Sequence, residues 1–574
     1  MHTKSLVLLV VFLILTLIIL PVDAAGPESP AGTTYEVGPG KPYANIGDVP
    51  WESLGPGDTV LIYWRAQPYK EKWVIAVQAT EAEPLVVRGV PNDQGELPVI
   101  DGRDATTRTQ LDYWNEPRGV VKIGAASVPN VQTAMWIVVE NLDIRSGRPP
   151  YSFTDDRGNV QNYADNAASF YVEDGQHIIL KNCIIHDSGN GIFVSPASRD
   201  ITIDGNWIYG NGIDGSYYEH NAYTEAIGMV YQFNHFGPLC DGCGGNNLKD
   251  RSAGLVVRYN WIEGGNRQLD LVDAEDNSAI VNDPSYRQTF VYGNILIEPD
   301  GAGNSQILHY GGDSGVTSDY RKGTLYFYNN TVISTRSGNT TLMRLSTNDE
   351  TADARNNILY VTASGDKLAM LDASGVLHLR NNWTKPGWVD SHSGLTGTIY
   401  DDGGNITGSD PGFVDEAGGD YHLTATSQCV DAGAPLASAA LPDYDLDSQY
   451  AKHQAQEARP RDATLDIGAY EYGDTAFLPL VTIAAVNAGD VRLSWSSLLW
   501  YNQFQVWRNT SPYFTPDGAA YADVILAPWQ FDDAGARGNA AVNYYYLVTD
   551  DLSGGASSTS NQVGEFDFGL TPGQ

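Results

Sequence analysis

The chain has 574 residues and a formal net charge of −36, from 70 acidic against 34 basic side chains. That surplus excludes general binding to nucleic acid or to an anionic membrane surface, because long-range repulsion would slow each encounter. So many residues exceed one compact core, and the abundance of Gly (60), Tyr (33) and Trp (13) beside few Met (5) favours turn-rich β-structure.

Residues 1–24 read as a secretory signal. Lys4 precedes an apolar run from Leu6 to Leu20, interrupted by Thr16, and Val22-Asp23-Ala24 offers small residues after Pro21. The run is short for a membrane span, with a retained N-terminal anchor as the alternative. No later segment is apolar enough to cross a bilayer. The mature chain is therefore expected to be exported to the extracellular space or cell surface and to be monomeric. Export makes disulfides feasible for Cys183, Cys240, Cys243 and Cys429. Cys240-Asp-Gly-Cys243 reads as a loop-closing disulfide, with a free pair or a metal or redox site as alternatives.

From about Tyr35 a rung pattern emerges. Asn182, Asn206, Asn260, Asn294, Asn330 and Asn357 each have an apolar residue three before and two after, and Asn382 continues the pattern halfway. The spacings are 24, 54, 34, 36, 27 and 25, which fit a unit near 25 residues with inserted loops. A repeat of that length with short β-branched strands means a solenoid. An inward Asn amide can satisfy turn backbone and stack on the Asn of the next rung. The longest gap holds Ser216–Gly254, read as an inserted loop rich in aromatic and ionisable residues, including Tyr217, Tyr218, Glu219, His220, Tyr223, Glu225, His235 and Lys249. An ordinary capping loop is the bland alternative.

Strand parity places the charges that follow. Val257 points inward and Arg258 outward; Leu269 and Leu271 point inward and Asp270 outward. Rungs stack about 4.8 Å apart, so outward residues form rows along a groove. A cationic cluster of Lys249, Arg251, Arg258 and Arg267 in so acidic a chain suits a polysaccharide bearing carboxylates or sulfates, with aromatic rings for the sugar faces. A β-eliminating lyase must neutralise a uronate carboxylate, remove the neighbouring proton and protonate the leaving oxygen. Lys249 is the base candidate, its pKa expected to be lowered by Arg251 and Arg267. His220 or Tyr223 would donate the proton, and Arg267 or Arg251 would hold the carboxylate. Arg258, Tyr218, Glu225 and Asp270 are expected to contact substrate. Asp273, Glu275 and Asp276 supply oxygens for a calcium site, and together with Asp270 they supply acids for hydrolysis. A binding protein without turnover is the third reading.

After Gly473 the texture changes to alternating strands, including Val491–Ser497, Phe504–Thr510 and Asn543–Asp551, with Trp495 in an early strand. Residues 474–574 thus resemble a fibronectin type III module, a small β-sandwich. Residues 25–473, with the rung pattern and the closing stretches Asp410–Pro435 and Arg459–Gly473, resemble the right-handed parallel β-helix of the pectate-lyase-like superfamily. The expected fold class is all-β, a solenoid followed by a sandwich. Lys249 upstream of Leu255–Asn260 is loosely similar to the alginate lyase and chondroitinase B family, which implies a Lys base, an Arg acid and calcium. The acidic pair that the family carries before its Lys is replaced by Cys240–Asn247, and Arg267 lies earlier than the family's Arg.

Overall fold

The computed structural model describes residues 32–275, 277–460 and 464–473, and segments between 481 and 564. Residues 1–24 lie outside the described residues. Among the described residues no helix is long and apolar enough to cross a membrane.

The chain winds into a parallel β-helix. Each coil contributes to a 24-stranded sheet that wraps two faces, and to an 11-stranded sheet that forms a third. Eight strands of the first face carry the site, and they are labelled here in chain order: β1 (Gly119–Ile123), β2 (Ala168–Val172), β3 (Asn190–Asp204), β4 (Ala222–Gln232), β5 (Leu248–Asp250), β6 (Leu269–Leu271), β7 (Gln306–Tyr310) and β8 (Thr340–Leu345). β3 and β4 continue round the corner onto the second face, which explains their length. Inward residues such as Ile192, Leu248, Leu269, Leu308 and Met343 are fully buried and stack into one core. Alternation along each strand sends their neighbours outward.

The corner between the second and third faces is an Asn ladder. Asn206, Asn234, Asn260, Asn294, Asn330, Asn357, Asn382 and Asn405 follow one another, each Nδ2 donating to the next Oδ1 at 2.9–3.2 Å. The residue before each turns the chain through a left-handed conformation, as Phe233 (φ 56°) and Tyr259 (φ 52°) do. Two expectations are corrected here. Asn182 is itself such a turn residue (φ 52°) and is exposed, while Cys183 takes the ladder position and donates its N–H to Asn206 Oδ1. Its partner Ile179 accordingly points outward and is 36% exposed. Ser216–Gly254 is also not a mere inserted loop, because Asn234 completes a whole coil within it, flanked by buried Tyr231 and Phe236.

The stretch after the last coil doubles back along the solenoid. Tyr421, Leu423, Tyr450 and Ile467 cover Trp261, Ile295, Ile333 and Trp383 on the third face, and Leu436, Tyr444 and Leu446 cover Phe290 and Tyr326 on the second. The left-handed turn residues hold this strap: Asn329, Asn356 and Asn381 donate from Nδ2 to the carbonyls of Asp466, Ala434 and Ala432 at 2.8 Å. The first face is left uncovered by it. Beyond the strap, two small antiparallel sheets, one including Val491–Ser494 and the other Phe504–Asn509, share a core of Leu493, Trp495, Phe504, Val506 and Tyr546.

Candidate functional site

Register along the first face creates one outward row. Lys122, Tyr171, Phe193, Tyr223, Lys249, Asp270, His309 and Arg344 pair in succession from β1 to β8. At the usual rung spacing the row is roughly 34 Å long. It is aromatic at Tyr171, Phe193 and Tyr223 and ionic from Lys249 onward. The rings meet edge-on, with centroids 5.5 and 5.3 Å apart.

A second column of inward polar groups fixes where these strands begin. Asn211 Nδ2 donates to Asn221 Oδ1 (2.9 Å), Asn221 Nδ2 to Asn247 Oδ1 (2.8 Å), and Gln268 Nε2 to Glu298 Oε2 (2.7 Å). Asn221 and Asn247 immediately precede the strand residues that lead to Tyr223 and Lys249, so this column sets the register of the row. Burial pushes the Glu298 carboxyl up to about 7, against the opposing effect of Gln268 and Arg336.

A cavity of about 550 Å³ opens over the ionic half of the row. It gathers Lys249, Arg251, Arg267, Asp270, His220 and Tyr223, with Tyr218 and Glu275, as expected from the sequence. It also brings in Tyr217 of the inserted stretch, and Asn246, His309, Asp313 and Arg344, which sequence reasoning missed. Tyr217 and Tyr218 stand at the rim, 66% and 81% exposed.

The centre of the cavity is a charge lattice. Lys249 Nζ lies between Asp270 Oδ2 (3.2 Å) and Asp313 Oδ2 (2.5 Å). Asp270 also accepts from Asn246 Nδ2 at 2.8 Å and faces His309 Nδ1 at 2.8 Å. Burial alone would raise the Asp270 carboxyl, but His309 and Lys249 outweigh it and hold it far below the carboxylate range. Asp313 is likewise lowered, by Lys249 and Arg251 against burial. For Lys249 burial favours the neutral amine, yet Asp270 and Asp313 prevail and its pKa is raised. The expected lowering by Arg251 and Arg267 is thereby overturned: two carboxylates flank the amine and outweigh Arg251, so the amine keeps its proton at neutral pH and is not a resting base.

His220 is also corrected. Its Nδ1 accepts the backbone N–H of Asn246 at 2.8 Å, which leaves the ring proton on Nε2. Burial first, then Lys249, push its pKa down to about 3. It is a neutral hydrogen-bond donor rather than a proton reservoir. Tyr223 stands edge-on to it at 5.5 Å, and Tyr223 Oη accepts from Arg251 Nε at 3.1 Å.

The loop after β7 carries Asp313 over the row. Arg321, fully buried, pins it by donating to the carbonyls of Val272 (2.9 Å) and Ser252 (2.8 Å). Asp273 accepts the Asp313 N–H at 2.8 Å and the Ser314 hydroxyl. Ser346 Oγ lies 2.9 Å from His309 Nε2, but it also accepts the Gly312 N–H at 2.9 Å. The Asp270–His309–Ser346 line therefore braces this loop.

The remaining expectations fall elsewhere. Asp273 is buried against Arg251, and Glu275 pairs with Arg251 at 3.3 Å, so both serve a guanidinium rather than a cation site. Among the described residues no group of three or more His, Cys, Asp or Glu is arranged to hold a metal, and Asp276 lies outside those residues. Arg258 lies on the second face, bound to Gln232 Oε1 and Tyr292 Oη, away from the cavity. Glu225 is buried in β4 and does not line the cavity. Cys240 and Cys243 form a disulfide, and Cys183 and Cys429 are free and buried.

Cations with open donors decide what such a cavity can bind. Arg267 gives Nε and one terminal nitrogen to Gln306 Oε1 (3.0 and 2.7 Å) and faces Asp270 at 3.8 Å. Arg344, one rung beyond His309, has no side-chain hydrogen bond or ion pair among the described residues.

No family model matches this chain, and no curated protein does. Three solved structures show a weak likeness. One is the GH136 lacto-N-biosidase from Eubacterium ramulus, at 12% identity over 65% of this chain and 68% of that one, with a TM-score of 0.31. Another is DFA-IIIase from Arthrobacter chlorophenolicus A6 without its lid in complex with GF2, at 11% identity over 64% and 99%, with a TM-score of 0.34. A rhamnogalacturonan lyase is 12% identical over 72% and 98%, with a TM-score of 0.33. Likeness at this level assigns no activity.

Proposed function

We propose that this chain acts on an acidic polysaccharide, cleaving it by β-elimination beside a uronate carboxylate. The observation that carries the reading is Arg344, a guanidinium without a protein partner among the described residues, in a cavity rimmed by Tyr217 and Tyr218. Arg344 with Arg267 would take the carboxylate, and the exposed rings would take the sugar faces. Lys249, held charged between Asp270 and Asp313, adds positive potential where negative charge develops. Tyr223 moves the proton: as the phenolate it takes it from the carbon beside the carboxylate, and as the phenol so formed it returns it to the leaving oxygen. Its support is the Arg251 Nε–H already donated to its oxygen, a fixed positive charge that stabilises the phenolate before it takes the proton. His220 Nε2–H holds a substrate oxygen.

Hydrolysis by two carboxylates needs one of them protonated. Asp270 and Asp313, the central pair, are both held ionised, which weighs against that alternative. The protein would work outside the cell, with the two C-terminal sheets as a fibronectin type III-like spacer or attachment module.

The test is a panel of uronate-bearing and neutral polysaccharides incubated with the protein. Unsaturated product absorbing in the ultraviolet is expected from a uronate polymer. Reducing ends without that absorbance would select hydrolysis, and binding without either product would select a non-catalytic role.

A further inference from the structure

The cleft does not end at the tyrosines. A second cavity, of about 510 Å³, is lined by Asp165, Asn166, Tyr218, Glu219 and Tyr223. Tyr218 and Tyr223 line both cavities, so the two are neighbouring compartments of one cleft. Their charges differ in sign. The first sets Lys249, Arg251, Arg267 and Arg344 against three carboxylates, whereas the second holds carboxylates alone.

Glu219 is the informative residue. It is 6% exposed, and its Oε2 is shut off from solvent without a hydrogen-bond partner among the described residues. Its backbone is fixed on both sides. The N–H of His220 donates to Asn190 Oδ1 at 2.8 Å, and Gly245 packs so closely that a Cβ there would come 1.7 Å from the Glu219 carbonyl oxygen. A buried carboxylate oxygen left without a donor is destabilising, because it has lost its water and gained no partner. Oε2 is closed to the cavity, so what enters meets Glu219 through its other oxygen, which also has no hydrogen bond among the described residues.

We infer that the second compartment is a subsite for a neutral, hydroxyl-rich sugar, so that the substrate is a heteropolysaccharide with an anionic unit followed by a neutral one. The inference rests on the acidic-glycan reading and narrows it. A carboxylate only accepts hydrogen bonds, and sugar hydroxyls supply donors. A uronate in this compartment would bring a further negative charge against Asp165 and Glu219. The exposed face of Tyr218, between the compartments, stacks on a ring in either.

The test is calorimetric binding of two tetrasaccharides, one alternating uronate and neutral hexose and the other all uronate. The intact protein is expected to prefer the alternating ligand by about tenfold or more, the worth of one charge-assisted hydrogen bond. Glu219→Gln should narrow that preference to about threefold or less. Asp165→Asn, at an exposed position where folding is not at risk, should narrow it in the same direction. Equal affinities in the intact protein, or an unchanged preference in both variants, would overturn the inference. Arg344→Gln separates the two readings. If it weakens both ligands, the acidic-glycan reading stands even when the neutral subsite falls. If the intact protein binds neither ligand, both readings fall.

Discussion

Lys249 Nζ stands 3.2 Å from Asp270 Oδ2, on adjacent rungs of one outward row. Asp270 is buried and Lys249 partly so, yet Asp270 does not depend on the pair alone, because His309, Asn246 and Arg267 also face the carboxylate. Lys249→Ala should therefore leave the fold intact and lower turnover by about a hundredfold or more, as expected for removal of a group that stabilises developing charge. Product absorbance measures the turnover, and circular dichroism the fold. Full activity in the variant would remove Lys249 from the machinery.

Among the described residues Arg344 makes no side-chain hydrogen bond or ion pair that its loss would strand. Arg344→Gln should shift the melting temperature little while raising KM for the acidic substrate by about tenfold or more, the size of a charge-assisted contact. A change in kcat alone would contradict a role in holding the carboxylate.

Asn260 is bonded on every side in the ladder: it donates to Tyr231 O, Arg258 O and Asn294 Oδ1 and accepts from Asn234. Asn260→Leu strands several buried groups and should cost about 3 kcal/mol or more. Arg258→Ala removes bonds at a half-buried surface and should cost about 1 kcal/mol. Denaturant titration of both variants compares them, and equal losses would argue against the ladder as the stabilising corner.

Glu298 makes stability fall with rising pH. The folded carboxyl keeps its proton to about pH 7, whereas in the unfolded chain it releases it near its ordinary value of 4.5. Between those values the folded state binds more protons, so stability is greatest below pH 4.5 and declines towards pH 7, by up to about 3 kcal/mol. Glu298→Gln should flatten this part of the pH profile, measured by melting temperature from pH 4.5 to 7.

The solenoid was legible in the chain because its physics is local. Asn residues spaced by one coil, with apolar residues at fixed offsets, are demanded wherever a turn must satisfy its own backbone. The coil at Asn234 obeys the same offsets with Tyr231 and Phe236, and a hydroxyl-bearing Tyr at the apolar offset concealed it. Cys183 concealed another by filling an Asn position, which shifted the reading to Asn182. Parity alone sent Asp270 outward, and the same rule applied to Leu308-His309-Tyr310 and Met343-Arg344-Leu345 would have found His309 and Arg344.

The sequence by itself determined stacked coils and a cationic cluster near Lys249, since period and parity act within a few residues of the chain. Tertiary structure decided the protonation of that cluster. Asp313, 64 residues from Lys249, arrives on a loop pinned by Arg321, and electrostatic energies depend on distance through space rather than along the chain. That arrival turned an amine expected to be a base into a fixed positive charge, and the pairing of coils placed Tyr223, Lys249, Asp270, His309 and Arg344 in a single row.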